Sequence, residues 1–137
     1  MVKVVLKGER PKSLNEFWSG MHYRQRSKYA KGCHELVKIE TLNQLGRNFT
    51  IDDYPLFAIF VYHRKGRRKM DWSNVLIKPY EDGIVQTGVI VDDNPDYVIG
   101  GARFILMDQP EDKLEIYYCK PQEAPSIIQH IVTEYFT

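Results

Sequence analysis

Asp71-Trp-Ser-Asn74, Lys78, Asp82, Gly88 and Asp92-Asp93 place hard oxygen ligands and one cation in a single short segment. A Mg²⁺ ion takes one or two carboxylates, several waters and a phosphate oxygen of its substrate. Held this way, the ion can generate hydroxide, orient it, and neutralise the charge that develops on a phosphodiester. Mg²⁺ is therefore the expected cofactor, with Mn²⁺ as an alternative. Asp71 and Asp93 are the leading ligands. In regular extended backbone Asp92 and Asp93 would point to opposite faces, so either one of them is the ligand or the pair sits on an irregular corner. Lys78 can serve as a point charge on the scissile phosphate or its transition state, and Asn74 can orient a water or tie down the loop. Each residue also has a plainer role open to it. Asp71 can cap a helix, Asn74 can make an Asx-turn, and Asp82 can be a solvated helix residue. Asp92-Asp93-Asn94-Pro95 is good loop chemistry without any metal.

The elements that must position these residues can be read from periodicity. Val2–Leu6 is β-branched and reads as a first strand. Ser13-Leu-Asn-Glu16 has capping-box spacing and starts a short helical turn before Phe17 and Trp18. Apolar residues recur at helical spacing from Ser27 to Leu45, and Gly46 stops that helix. Residues 56–62, Leu-Phe-Ala-Ile-Phe-Val-Tyr, are apolar without alternation, which predicts a central strand covered on both faces. His63–Lys69 then reads as a basic, Gly-containing loop. Pro79 sets the start of a helix that ends at Gly88. Residues 97–107 predict a strand bent at Gly100-Gly101, and 108–112 a turn. Leu114, Ile116 and Tyr118 alternate on its partner strand. Ile127 to Phe136 form an apolar helical stripe, read as core with dimer contact as the alternative. The order β-α-β-α-β-β-α predicts an α/β (α+β) fold, a mixed, meandering sheet packed against helices. One domain spans 1–137, with a C-terminal helical extension at about 120–137.

The chain has 137 residues, enough to bury a core, and its composition is that of an ordinary globular protein. No apolar run approaches the ~18 residues a membrane span needs, and the N-terminus reads as a strand rather than a signal peptide. The expected compartment is the cytoplasm, with no membrane partner. Cys33 and Cys119 have no metal-ligand spacing and read as buried free thiols. The net charge of +1 hides an asymmetry. Residues 1–70 carry 15 Lys/Arg against 6 Asp/Glu, and residues 71–137 carry 4 against 12. A basic half beside an acidic half suits a protein that holds a polyanion with one part and a metal with the other. Mutual neutralisation across the fold is the alternative.

Asp71-x-x-Asn74, Lys78-x-x-x-Asp82 and Gly88-Val-Ile-Val-Asp92-Asp93 together resemble the signature of RusA-type Holliday-junction resolvases. In that family an Asp-x-Asp-Asn segment is followed by Lys, Asp, Gly and a paired Asp-Asp. Ser13-Leu-Asn15 after Pro11 is similar to the family's opening, and the match covers roughly residues 1–118. The resemblance implies a RusA-like fold and a homodimeric, Mg²⁺-dependent endodeoxyribonuclease. It would resolve four-way junctions by paired symmetric nicks in recombination and repair. It also implies essential roles for Asp71 and Asp93, an active-site Lys78, and supporting roles for Asp92, Asn74 and Asp82. Two departures stand out. Ser73 replaces the family's second aspartate, and Lys78 lies one residue further from Asn74 than usual. They define an alternative, a catalytically weakened protein of the same fold that binds branched DNA. Asp82 or Asp92 filling the place left by Ser73 is the other way to read them.

Arg64, Lys65, Arg67, Arg68 and Lys69 lie just before Asp71 and are the expected phosphate contacts. Arg24 and Arg26, interleaved with Tyr23 and Tyr29, are a second candidate patch. Trp18, Tyr23 and Trp72 are expected in the core, with stacking on unpaired bases as the alternative.

Overall fold

The computed structural model describes residues 1–136. Their order is β1 (Val2–Lys7), α1 (Leu14–Ser19), α2 (Tyr23–Leu45), β2 (Leu56–Lys65), a 3₁₀ turn (Trp72–Asn74), α3 (Lys78–Thr87), β3 (Val98–Gln109), β4 (Lys113–Cys119), a second 3₁₀ turn (Pro121–Glu123) and α4 (Ala124–Phe136). This is a mixed α+β architecture, as the pattern predicts.

The four strands lie in the order β1-β4-β2-β3. β4 runs antiparallel to both neighbours, pairing Val4 with Ile116 on one side and Phe60 with Ile116 on the other. β2 and β3 are parallel, with Phe60 opposite Arg103. The expected meander is therefore corrected. β4 is not the partner of β3, because both flank β2 and the chain between them crosses the end of β2. Three bonds hold that crossing. The Lys65 N–H donates to Asp112 Oδ1 at 2.9 Å, the Asp108 N–H to Gly66 O at 2.9 Å, and the Gly8 N–H to Asp112 O at 2.8 Å. The expected irregularity in β3 is present: the register slips between Leu56/Val98 and Phe57/Gly100, leaving Ile99 unpaired.

The uninterrupted apolar run of β2 is explained by burial on both sides. Ala58, Phe60 and Tyr62 join Val4, Leu6, Leu114, Ile116 and Tyr118 beneath α2 and α3. Ile59 and Val61 join Leu106, Tyr117 and Cys119 on the other face, beneath Ile127, Ile128, Ile131 and Tyr135 of α4. The C-terminal stripe is thus core from Ile127 to Tyr135, while its last residue, Phe136, is 61% exposed; α4 covers one face of the sheet. α2 and α3 meet at Gly83, where a Cβ would lie 2.9 Å from Val37 Cβ.

The helix ends follow their chemistry. Ser13 and Glu16 form the expected capping box, with bonds of 2.9 and 3.3 Å. Gly88 closes α3 in the left-handed conformation, φ 82°. α2 starts four residues earlier than expected, because His22 and Gln25 form a capping box from unusual residues: the Arg24 N–H donates to His22 Nδ1 and the His22 N–H to Gln25 Oε1. At the β1 edge the Gln44 side chain bonds both backbone groups of Val5, at 2.8 and 2.7 Å. Both cysteines are buried and unpaired, and burial pushes both thiols above their ordinary pKa.

Candidate functional site

Asp93 sits on an irregular corner between α3 and β3. Asp92 folds that corner: its Oδ1 accepts the Asp93 N–H at 2.8 Å and its Oδ2 the Asn94 side-chain amide at 3.2 Å. Asn94 Oδ1 in turn accepts the Asp96 N–H. The two adjacent aspartates therefore divide the work, with Asp92 committed to the loop and the Asp93 side chain sent towards α3. There Lys78 Nζ lies 2.9 Å from Asp93 Oδ2 and 3.0 Å from Asp82 Oδ1. Lys78 and Asp82 are one helical turn apart, the spacing at which opposite charges meet. One ammonium thus bridges two carboxylates.

The electrostatics agree with the geometry. The hydrogen bond with Asp93, opposed by desolvation and reinforced by Asp82, raises the Lys78 pKa. The same bond holds the Asp93 carboxyl below its usual range. Lys78 was expected to face a phosphate; here its charge is spent on the two acids. Its side chain is 63% exposed, so solvent screens the pair and the stem can swing.

Asp71 follows β2 by a short loop and occupies the N-cap of the Trp72–Asn74 turn, but its side chain makes no cap bond. Only its carbonyl is used, accepting the Asn74 N–H at 2.9 Å. The carboxylate is exposed, as is Ser73. The Asn74 side chain makes no Asx-turn bond among the described residues. Trp72, next to Asp71, lines a cleft of about 380 Å³ with Ile77, Glu81, Ile99, Gly101 and Arg103. Its Nε1–H donates to the Arg103 carbonyl at 2.7 Å.

Glu81 is the acid that the sequence reading missed. It is one turn from Lys78 on the same face of α3, and that spacing was the available signal. Desolvation raises its pKa, with Asp93 and Asp82 acting in the same direction and Lys78 and Arg103 opposing them.

The structure brings Lys78, Asp82 and Asp93 together. Among the described residues, no three of His, Cys, Asp or Glu form a metal-sized group, so Asp71 is not gathered with them. The donors at the cluster are carboxylates without thiolate or imidazole. They suit a hard cation that takes one or two carboxylates and fills its remaining positions with water and phosphate oxygen.

The basic segment is divided differently from the expectation. Lys65, Arg67, Arg68 and Lys69 are exposed, and Arg67 makes only a surface pair with Asp108 at 3.4 Å. Arg64 is corrected as a DNA contact. It belongs to β2, faces the same side as Tyr62 and is buried. Its Nη1 reaches only Met70 Sδ, at 3.6 Å, and its Nε has no partner. His63 also belongs to the strand and lies on the other face, 3.4 Å from Glu115 and against the Tyr135 ring. The charge of the run hid three more strand residues, His63, Arg64 and Lys65. Arg24 is exposed, whereas Arg26 donates to Met21 O at 2.8 Å and lies over the Trp18 ring.

The expected core placement of three aromatics is likewise overturned: Trp18 is 63% exposed, Tyr23 69% and Trp72 59%. Trp18 and Tyr23 sit at the α1–α2 corner and Trp72 on the 3₁₀ turn, where the chain has no second layer to cover them. Among the described residues no helix is long and apolar enough to cross a membrane. No family model matches the chain, and no curated protein matches it.

Proposed function

We propose that this protein is a Mg²⁺-dependent, structure-selective endodeoxyribonuclease of the RusA type, acting on Holliday junctions or other branched DNA. The observation that carries the reading is the Lys78 ammonium bracketed by Asp82 and Asp93 beside the cleft at Trp72. It is a cation locus built from the residues whose spacing resembles the resolvase signature.

In this reading Asp93 and Asp82 would hold the ion, Asp71, set apart on the 3₁₀ turn, would be a further ligand only after a local shift, and Asp92 keeps the corner in shape. Bound there, Mg²⁺ supplies Lewis acidity and a water nucleophile. Lys78, released from the carboxylates, neutralises charge on the scissile phosphate. Lys65, Arg67, Arg68 and Lys69 hold neighbouring phosphates with little regard to sequence, and Arg24 adds a further contact. A two-fold homodimer supplies the paired sites that symmetric nicking requires. The compartment that goes with this activity is the cytoplasm.

A gel assay on a fixed four-way junction with Mg²⁺ or Mn²⁺ tests the proposal. Paired nicks are expected, with Asp93→Asn abolishing them while junction binding is retained. Binding without nicks under either metal replaces this reading with that of a branched-DNA-binding protein. One observation favours that second reading: Lys78 already neutralises the acids, and the exposed Ser73 hydroxyl offers a poorer ligand than a carboxylate.

A further inference from the structure

The cleft between the 3₁₀ turn and β3 has a construction that the acidic cluster alone does not explain. Trp72 is 59% exposed, yet its indole is fixed by the bond from Nε1–H to the Arg103 carbonyl. The Arg103 guanidinium lies 5.3 Å from the ring centroid and is itself tied to the Val75 carbonyl at 3.4 Å. An exposed aromatic held in one orientation by the backbone of an edge strand is a preorganised platform, because its rotamer entropy has already been lost. β3 is the last strand of the sheet, so a row of its N–H and C=O groups turns away from β2.

The size and charge of the cleft narrow its occupant. About 380 Å³ is at the small end for ligand pockets, room for a single planar ring system. Glu81 and the Arg103 guanidinium both lie in its wall, so the cleft is of mixed charge and not a purely cationic seat for a phosphate group. The indole and guanidinium attract any π-face.

We propose that this cleft is a nucleobase subsite: one base of a DNA strand leaves its stack and lies against Trp72 and Arg103, beside the Lys78–Asp82–Asp93 cluster. The inference rests on the branched-DNA reading, which supplies the strand. Removing a base from the stack costs least where it is already unpaired, as at a branch point.

The test uses the full chain carrying Trp18→Phe, which leaves Trp72 as the sole tryptophan reporter. The probes are a four-way junction and the same junction with abasic residues at the branch, equal in length and charge. The intact junction is expected to quench Trp72 fluorescence and the abasic one to leave it unchanged. In chains that retain Trp18, affinity should fall roughly 10- to 100-fold with the abasic junction. Trp72→Ala should lower it similarly, the two losses should not add, and Trp72→Phe should restore most of the binding.

The proposal is overturned by equal quenching from both junctions, by no quenching at all, or by wild-type affinity in Trp72→Ala. Quenching by thymidine monophosphate as strong as by the junction, at equal concentration, overturns the assignment to a DNA strand. The two readings fail separately. Base-dependent quenching without nicks upholds the subsite and removes the nuclease; nicks that are indifferent to abasic sites do the reverse.

Discussion

Arg64 and its neighbours show how differently equal charges behave. A buried guanidinium without an acidic partner carries a desolvation cost that an apolar side chain of similar length avoids. Arg64→Met is therefore expected to leave stability unchanged or raise it, with junction affinity intact; a denaturant titration and a binding curve check both. The exposed Arg67, Arg68 and Lys69 should do the opposite. Each alanine substitution should leave stability alone, weaken junction binding, and reduce the slope of log affinity against log salt by about 1. At the acidic cluster, Ser73→Asp adds a carboxylate in an exposed turn, so a higher nicking rate in the junction assay is the expected outcome. If the rate is unchanged, the carboxylate missing at position 73 does not limit the reaction.

At the scale of elements, the contact between α2 and α3 is set by the absence of one side chain. Gly83→Ala would place a Cβ 2.9 Å from Val37 Cβ, and overpacking of this kind costs typically 1–3 kcal/mol. Val37→Ala in the same chain should recover part of that loss, whereas at an uncoupled site the two changes would simply add. Thermal unfolding of the three variants distinguishes the cases. The elements themselves were largely legible because their signals are local: alternation or apolar runs for strands, the Ser13–Glu16 box for α1, and the Pro79 and Gly88 boundaries for α3. What escaped is what depends on partners distant in the chain. The short link at 108–112 looks like a hairpin turn, and only its bonds to Lys65, Gly66 and Gly8 carry it across β2. His63 and Arg64 looked like loop residues because their charge masked the strand period. At the site, the cluster was legible as residue types and spacing, but its pairing was not. That Lys78 grips both Asp82 and Asp93, and that Glu81 lies beside them, follows from helix geometry joined to a corner shaped by Asp92.

Across the whole molecule, the two faces of the sheet respond differently to acid. The face under α4 holds a buried polar group, Glu115, next to His63, Lys113 and Tyr117. Burial works to raise its pKa, but the adjacent His63 ring, the Lys3 charge and the Tyr117 hydroxyl outweigh it and bring the value down to about 2. The native pKa lies below the ordinary 4.5, so the stabilisation is fully present above about pH 4.5 and is lost as pH falls towards 2. By linkage it amounts to at most about 3 kcal/mol. Glu115→Gln should flatten the acid limb of the stability–pH profile over that window, as followed by denaturant midpoints. The sheet also has two unlike borders. At β1, Gln44 occupies both backbone groups of Val5 with its own amide, a side chain posing as one residue of an additional strand. At β3, the Trp72 indole sits on the Arg103 carbonyl and the Gln109 side-chain amide on the Met107 carbonyl. Both borders thus carry side chains where an added strand would have to bond, a brake on polymerisation by strand addition, the common hazard of open sheets.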